Sequence, residues 1–400
     1  MKIAIIGGGA AGLMAGGFLS KQGHAVTIFD GNEKCGKKLY ITGKGRCNVT
    51  NACEKEVFLE NVVNGRKFMM SAINQFSPSD TQNFFESLGV KLKVERGNRV
   101  FPLSDKASDI IKALTLHCGD CEIKLNEMIK AIEKKETFFI VLTSDSKYQF
   151  DRVIIATGGM SYSSTGSKGD GYKFAKMLGH NVVKPRGALV PIKLKDKFCC
   201  ELAGLSLKNV KLTANYSGGK KNLFGEMLFT HDGISGPIAL SLSSYISQER
   251  EVKLELDFKP ALNSEQLENR LLREFSENLN KNLTYIIKGL LPRSLVEIFL
   301  NKAVINGETK VNSVSKEQRM KIISLLKAFP LNFDGLYPIE AGIITAGGVD
   351  LKEINPKTME SKLVKGLYFI GEVLDIDCLT GGFNLQTAFS TAYAAAASLI

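Results

Sequence analysis

The chain opens on an unbroken apolar run at residues 2–6 (KIAII), the length and composition of a strand buried on both faces of a sheet. Residues 10–22 follow with helical spacing, and 25–29 form a second apolar run before a polar, Gly- and Lys-rich loop over 31–50. The spacing predicts helices at about 61–76, 80–88 and 105–117, with Ser79 and Ser104 as N-caps. Between 122 and 156 the pattern changes to short strands (138–142, 148–150, 153–156), a β-meander that returns to the sheet. A short helix is predicted over 169–178. Residues 190–260 read as mostly β, with Ser217-Gly218-Gly219 as a hairpin turn between 211–216 and 223–229.

Residues 263–328 return to helical spacing, as in Leu267, Leu271, Leu272 and Phe275, with Pro292 at a tolerated first-turn position. Glycine-rich β resumes at 341, and a last helix runs over about 384–399. The pattern describes an α/β nucleotide-binding domain split by a long insertion.

The strongest local signal is Gly7-Gly8-Gly9-Ala10-Ala11-Gly12 directly after the first strand. Gly7 permits the tight turn, Gly9 clears the approach of a pyrophosphate, and Gly12 lets helix and strand pack closely. The helix start, from Ala10, offers unpaired N–H groups and a partial positive charge to phosphate. Asp30 ends the second strand, eighteen residues past Gly12, where an acid accepts ribose hydroxyls. A nicotinamide dehydrogenase would continue with regular βαβ repeats. Here a long basic loop follows instead. A later strand ends in Ala156-Thr157-Gly158-Gly159, and a third ends in Ile370-Gly371-Glu372. Three such elements point to FAD as the dinucleotide.

Composition changes this picture little. With 400 residues, 44% hydrophobic and 23% charged, the chain is an ordinary globular one. Glycines 7, 8, 9 and 12 interrupt the apolar start, which argues against a signal peptide, and no run of ~18 apolar residues offers a membrane span. Eight scattered cysteines fit a reducing compartment, and the cytoplasm is the expected location. Cys118-Gly-Asp-Cys121 has metal or redox spacing, but no second CxxC or paired His accompanies it, so a turn after a helix is the preferred reading and no metal is expected. The net charge of +11 attracts polyanions, with Lys34, Lys37, Lys38, Lys44 and Arg46 clustered. Without Trp or a nucleic-acid motif, a small molecule is the expected substrate rather than RNA.

The loop Lys37-Lys38-Leu39 with residues 42–51 (TGKGRCNVTN) resembles the hallmark loop of the BaiN/RdsA-like NAD(P)/FAD-dependent oxidoreductases. The resemblance extends through 229–237 (FTHDGISGP), 345–349 (TAGGV), 355–361 (NPKTMES) and 371–386, so it covers nearly the whole chain. It implies a Rossmann-like FAD-binding domain over 1–190 and 343–400, a β-barrel-like insert over 191–262 and 330–342, and a helical subdomain over 263–329. It places Gly7, Gly9, Gly12 and Asp30 at the AMP half, with Ile129 touching adenine through its backbone. Lys38, Arg46, Cys47 and Asn48 would lie beside the flavin. Thr157 and Gly158 would pass near the pyrophosphate, and Gly371, Glu372 and Asp375 near the ribityl. Asn384 and Leu385 would present backbone N–H groups to the isoalloxazine O2, favouring negative charge there. Where the family has Asp-Gly-Tyr-Thr-Gly-Gly-Tyr-Asn, this chain has Asp377-Cys378-Leu379-Thr380-Gly381-Gly382-Phe383-Asn384, so two phenolic hydroxyls are absent.

Cys47 lacks the CxxxxC partner of disulfide reductases, and a packing or cofactor contact is preferred for it. His231, beside Asp232 and Gly233, is the candidate proton donor because histidine titrates near neutrality. The resemblance implies hydride transfer through flavin N5 to an activated C=C, such as an enone of a steroid-like 3-oxo compound. NAD(P)H would be a transient donor, since no second nucleotide fingerprint is present. The substrate is expected to stack on the flavin between the nucleotide domain and the insertion. Two alternatives stay open: an amine oxidase using oxygen, and a flavin-dependent tRNA-modifying protein.

Overall fold

The computed structural model describes residues 1–400, which divide into two compact units: 1–188 with 338–400, and 189–337. In the first unit, β1 (Lys2–Ile6) lies at the centre of a five-stranded parallel sheet. Its neighbours are β2 (Ala25–Phe29) on one side and β4 (Arg152–Ile155) on the other. The sheet ends in β3 (Glu122–Lys124) and β5 (Leu367–Phe369), giving the order β5-β4-β1-β2-β3. The chain leaves β1 toward β2 and returns beside it as β4. That reversal opens a crevice at the carboxyl ends of the strands, where open α/β sheets bind ligands. The antiparallel meander 131–134, 139–142, 147–150 precedes β4.

Helix α1 (Ala10–Lys21) follows β1 and is apolar nearly all round, because other helices cover it. One is α2 (Ala107–His117); another is α3 (Phe383–Ala397), the last helix, whose alanines permit close approach. Ring contacts of Phe18 on α1 with Phe76, Phe84 and Tyr393 complete this layer.

The second unit holds a closed antiparallel barrel with strand order Ile192–Leu194, Gly233–Ser235, Gly219–Thr230, Ser206–Tyr216, Lys253–Asp257, Phe329–Leu336. Closure removes the exposed edges that a sheet would otherwise present. Four helices, Ser264–Glu277, Leu283–Leu290, Arg293–Ala303 and Lys316–Lys327, lie between the last two strands of the chain order. Barrel and helices share one core, in which Phe299 stacks on Phe329 at 6.3 Å. Asn263 with Gln266, and Ser315 with Gln318, form capping boxes that start two of these helices.

Local detail departs from the sequence pattern at several points. Ser77, not Ser79, caps the helix Pro78–Ser87 and shares a capping box with Asp80. Lys106, not Ser104, is the N-cap of α2, while Ser104 binds Asp109 from outside the helix. The stretch 61–76 is a short strand (Val62–Asn64) and a helix (Arg66–Gln75), divided at Gly65. The hairpin turn is two residues, Ser217 and Gly218, since Tyr216 pairs with Gly219. No helix is long and apolar enough to cross a membrane.

His117 ends α2 and is buried against Phe18 and Phe84, its ring pressed onto Gly17, where a Cβ would overlap it. Neither ring nitrogen has a partner, and burial pushes its pKa down to about 4. The unfolded chain takes up this proton near pH 6.5, before the folded one does, so the stability is full above that value and is lost as pH falls toward 4. Buried Asp377, pushed up to about 7, acts in the opposite sense in the same window. Subtracting a His117→Phe variant isolates the histidine. The fall in melting temperature between pH 6.5 and 4 will be smaller in that variant than in the wild type; equal falls would show that the folded protein takes up the His117 proton as readily as the unfolded chain does.

Candidate functional site

The glycine loop fixes where α1 begins. Gly7 has φ of 114°, and a Cβ there would lie 2.5 Å from the Ala156 carbonyl oxygen of the neighbouring strand end. A Cβ at Gly12 would overlap the Gly7 carbonyl itself. Both positions therefore hold glycine because backbone passes against backbone. Gly9 is the N-cap and has nothing within 4 Å of its Cβ position, so the space ahead of the helix is open. No side chain caps α1, and no acid lies in its first turn, leaving the N–H groups at Ala10 and beyond for an anion.

Asp30 stands beside this loop. Its Oδ2 accepts the Gly8 N–H at 2.9 Å, and its Oδ1 accepts the backbone and side-chain N–H of Asn32, both at 2.8 Å. A carboxylate has about four lone-pair sites, so these bonds orient it and leave capacity for a diol. The chain before Ile129 runs alongside, with the Glu127 N–H bonded to the Asp30 carbonyl and the Asn126 N–H to that of Asn32. The structure thus gathers Gly7, Gly9, Ala10, Gly12, Asp30 and the approach to Ile129 at one end of the crevice.

A second group meets around Glu372. Its carboxylate pairs with Lys38 Nζ at 2.6 Å and accepts the Thr345 N–H at 2.9 Å. Lys38 also donates to Ser161 Oγ at 2.8 Å, and Thr345 Oγ1 accepts the N–H of Met160 and Ser161. Gly158 faces this network, its Cβ position 4.0 Å from Glu372 Oε2. Gly371 packs onto Ala11 of α1, its Cβ position 3.1 Å from the alanine methyl. Thr157 Oγ1, Tyr172 Oη and Asp375 Oδ1 are buried without a protein partner. The Tyr172 hydroxyl is pushed up by burial and by the charges of Glu372 and Asp375. Sequence reading left out Ser161, Tyr172 and Asn32. The partners of Ser161 lie far away in the chain, the Tyr172 hydroxyl is marked only by its burial, and Asn32 shows its place only through its bonds to the Asp30 carboxylate.

The third group joins the loop after α1's strand pair to the start of α3. Cys47 has φ of 60°, is fully buried, and its thiol is pushed up to about 12 by burial. It is a neutral packing group rather than a thiolate. Asn48 Oδ1 is buried and unpartnered. Asn51 donates to the Gly381 carbonyl at 3.0 Å, and Gly382 lies so close to Thr50 that a Cβ would overlap its carbonyl. Gln386 accepts from Thr50 and Thr81 and donates to the Phe76 carbonyl, so the loop and α3 form one hydrogen-bonded body. The Asn384 side chain is spent on Cys378 and Leu379, accepting the Cys378 N–H and donating to both carbonyls. Its backbone and that of Leu385 form an open first turn, since Gly382 is the N-cap and supplies no side chain. Cys378 is buried against Thr387, which explains a small residue there; nothing in the structure explains Leu379.

Arg46 is engaged within the protein. It pairs with Glu95 at 2.8 Å and Asp105 at 3.2 Å and lies 4.1 Å from the centre of the Phe101 ring. Its charge is matched within the protein and supports the loop. His231 belongs to the second unit, in the exposed turn between barrel strands, with Nδ1 4.0 Å from Cys200 Sγ. Asp232 accepts a hydrogen bond from Tyr337.

These donors fit a flavin dinucleotide. Two uncapped helix starts suit a diphosphate and a carbonyl oxygen that gains negative charge. Asp30 suits a ribose diol, and the orphaned oxygens of Thr157, Asp375 and Asn48 suit hydroxyl and N–H groups of a polar ligand.

Comparison with known proteins agrees. The family model described as "HI0933-like protein Rossmann domain" matches residues 1–398. A ribosomal RNA dihydrouridine synthase of Haemophilus influenzae is 33% identical over 99% of this chain and 97% of its own length. A 3-dehydro-bile acid delta(4,6)-reductase of Clostridium scindens is 31% identical over 98% of both chains. The structure of a 3-ketosteroid delta1-dehydrogenase from Sterolibacterium denitrificans shares the fold, with a TM-score of 0.50 at 11% identity over 99% of this chain and 98% of that one. With its fingerprint, its Glu372 network and its glycine-capped last helix all in place, the chain belongs to the HI0933-like family of Rossmann-fold flavoprotein oxidoreductases.

Proposed function

We propose that this protein is an FAD-dependent reductase that saturates a C=C bond conjugated to a carbonyl, and that its substrate is a uracil base of ribosomal RNA. The observation that carries this reading is full-length kinship with relatives whose names share one reaction. Dihydrouridine synthesis saturates the uracil C5=C6 bond, which is conjugated to a carbonyl; a delta(4,6)-reductase acting on a 3-dehydro compound saturates the same kind of bond. A second relative named as a ribosomal RNA dihydrouridine synthase, from Escherichia coli, is 32% identical over 99% of this chain. The net charge of +11 favours a polyanionic substrate. A small 3-oxo enone is the second reading, supported by the bile acid reductase. The cytoplasm is the proposed compartment.

When bound, FAD supplies two-electron hydride chemistry, with NAD(P)H as the proposed donor. The start of α1 would hold the diphosphate, Asp30 the ribose, and Thr157, Glu372 and Asp375 the linker. Lys38 is held by Glu372 and Ser161, so its charge is fixed in direction and matched. The start of α3 would favour negative charge at the ring oxygen it faces. His231 is the proposed proton donor to the carbon left after hydride addition.

Three outcomes follow. Gly9→Asp keeps the fold, since its Cβ position is clear, but sets a carboxylate where a phosphate would lie. FAD affinity falls by about two orders of magnitude with the melting temperature of apoprotein little changed, as measured by flavin fluorescence titration. Anaerobic mixing of the FAD-loaded, reduced protein with undermodified ribosomal RNA reoxidises the flavin, in a step that weakens as salt rises, while a Δ4-3-oxo steroid leaves it reduced. Reoxidation by the steroid alone would overturn the RNA reading in favour of the enone, and reoxidation by neither would overturn both. His231→Gln lowers the rate of this oxidative step by about 10²–10⁴-fold and leaves reduction by NAD(P)H unchanged; an unaltered rate removes His231 from the mechanism.

A further inference from the structure

Cys118 and Cys121 are not among the residues proposed to hold FAD or substrate. They lie in the turn that ends α2 and enters β3, and both are free thiols. Cys118 is fully buried and directs its S–H to the Leu13 carbonyl at 3.3 Å. Cys121 is half-buried and reaches the Gly16 carbonyl at 3.2 Å. Leu13 and Gly16 are three residues apart on α1, so both carbonyls sit on one face of that helix. The Cys121 N–H closes the turn onto the Cys118 carbonyl at 3.1 Å, so both thiols leave one tight turn toward the same face of α1. Gly16 permits this approach, its Cβ position being 3.5 Å from Cys121 Sγ. No group of three or more His, Cys, Asp or Glu gathers anywhere in the chain at ligating distance, so the chemistry left to this pair is with each other.

We propose that Cys118 and Cys121 form a redox-active dithiol that a low-molecular-weight disulfide closes to an intramolecular disulfide, and that closure weakens the seat of α1 and hence the hold on FAD. Cys121 is the attacking thiol because it is the accessible one. Its thiolate is favoured by the neighbouring Cys118 thiol and by the Ser20 hydroxyl. Attack on the oxidant forms a mixed disulfide at Cys121 and releases one thiolate. Cys118 then gives up its proton and attacks Cys121 Sγ, expelling the second thiolate. The protein pair loses two electrons, and the oxidant gains them as two thiols. Closure removes both S–H donors from the carbonyls of α1, one and two turns in from its phosphate-facing end. Cys35, whose Sγ packs against Gly8, is the competing partner.

The test uses the FAD-loaded full chain, treated with glutathione disulfide without denaturant, alkylated and mapped by peptide mass spectrometry. The expected result is a Cys118–Cys121 link, reversed by dithiothreitol, with FAD released several-fold faster from the closed form. Cys118→Ser instead retains a stable glutathione adduct on Cys121. Exposed Cys200 reports that the oxidant reached the protein. Adducts on both cysteines without a link, a bridge to Cys35, or reaction confined to Cys200 would overturn the dithiol. A link with unchanged FAD release would overturn its coupling to α1.

Discussion

Everything in the first unit depends on one close approach: Gly12 of α1 against the carbonyl of Gly7 at the end of β1. That contact sets the helix so that its uncapped end looks along the carboxyl edge of the sheet. Any side chain at Gly12 would drive the helix away and turn its N–H groups off the crevice. The apolar face of α1, under α2 and α3, then holds it in place. The fingerprint is thus a packing constraint first and a binding site in consequence.

The same device appears a second time at α3. Gly382 caps that helix without a side chain and packs against Thr50, while Gln386 and Asn384 anchor it to the loop before and the turn beside it. Gly371 lies against Ala11 of α1 and near Ala388 of α3, so small residues let both helices approach one strand end. Two helix ends with their positive poles free are costly to leave without an anion or a polar ligand, and the buried oxygens that lack partners lie among the same segments. A dinucleotide with a phosphate bridge and a polar ring answers both demands.

The two units have separate cores, and each is closed by its own logic. In the first, a parallel sheet is covered by helices. In the second, a barrel removes its edges by closing, and the helices between its last two strands add to one core. The insertion therefore carries its own stabilising contacts and leaves the nucleotide-binding sheet intact.

By itself the sequence determined the sheet and its fingerprint. Apolar runs at β1, β2 and β4 are continuous because both faces are buried, and glycine spacing records backbone contacts that no other residue allows. The helical stretch in the insertion was legible from its periodicity because each helix buries one face. The cap at Ser77 was missed although its pattern is local, with Pro78 at the first helical position and Asp80 three residues on. Only tertiary structure decided that Arg46 spends its charge on Glu95 and Asp105, that Lys38 meets Glu372 across more than three hundred residues, and that Cys118 and Cys121 share a face of α1. Side-chain partners separated that far are chosen by the fold's geometry, and local pattern carries no record of them.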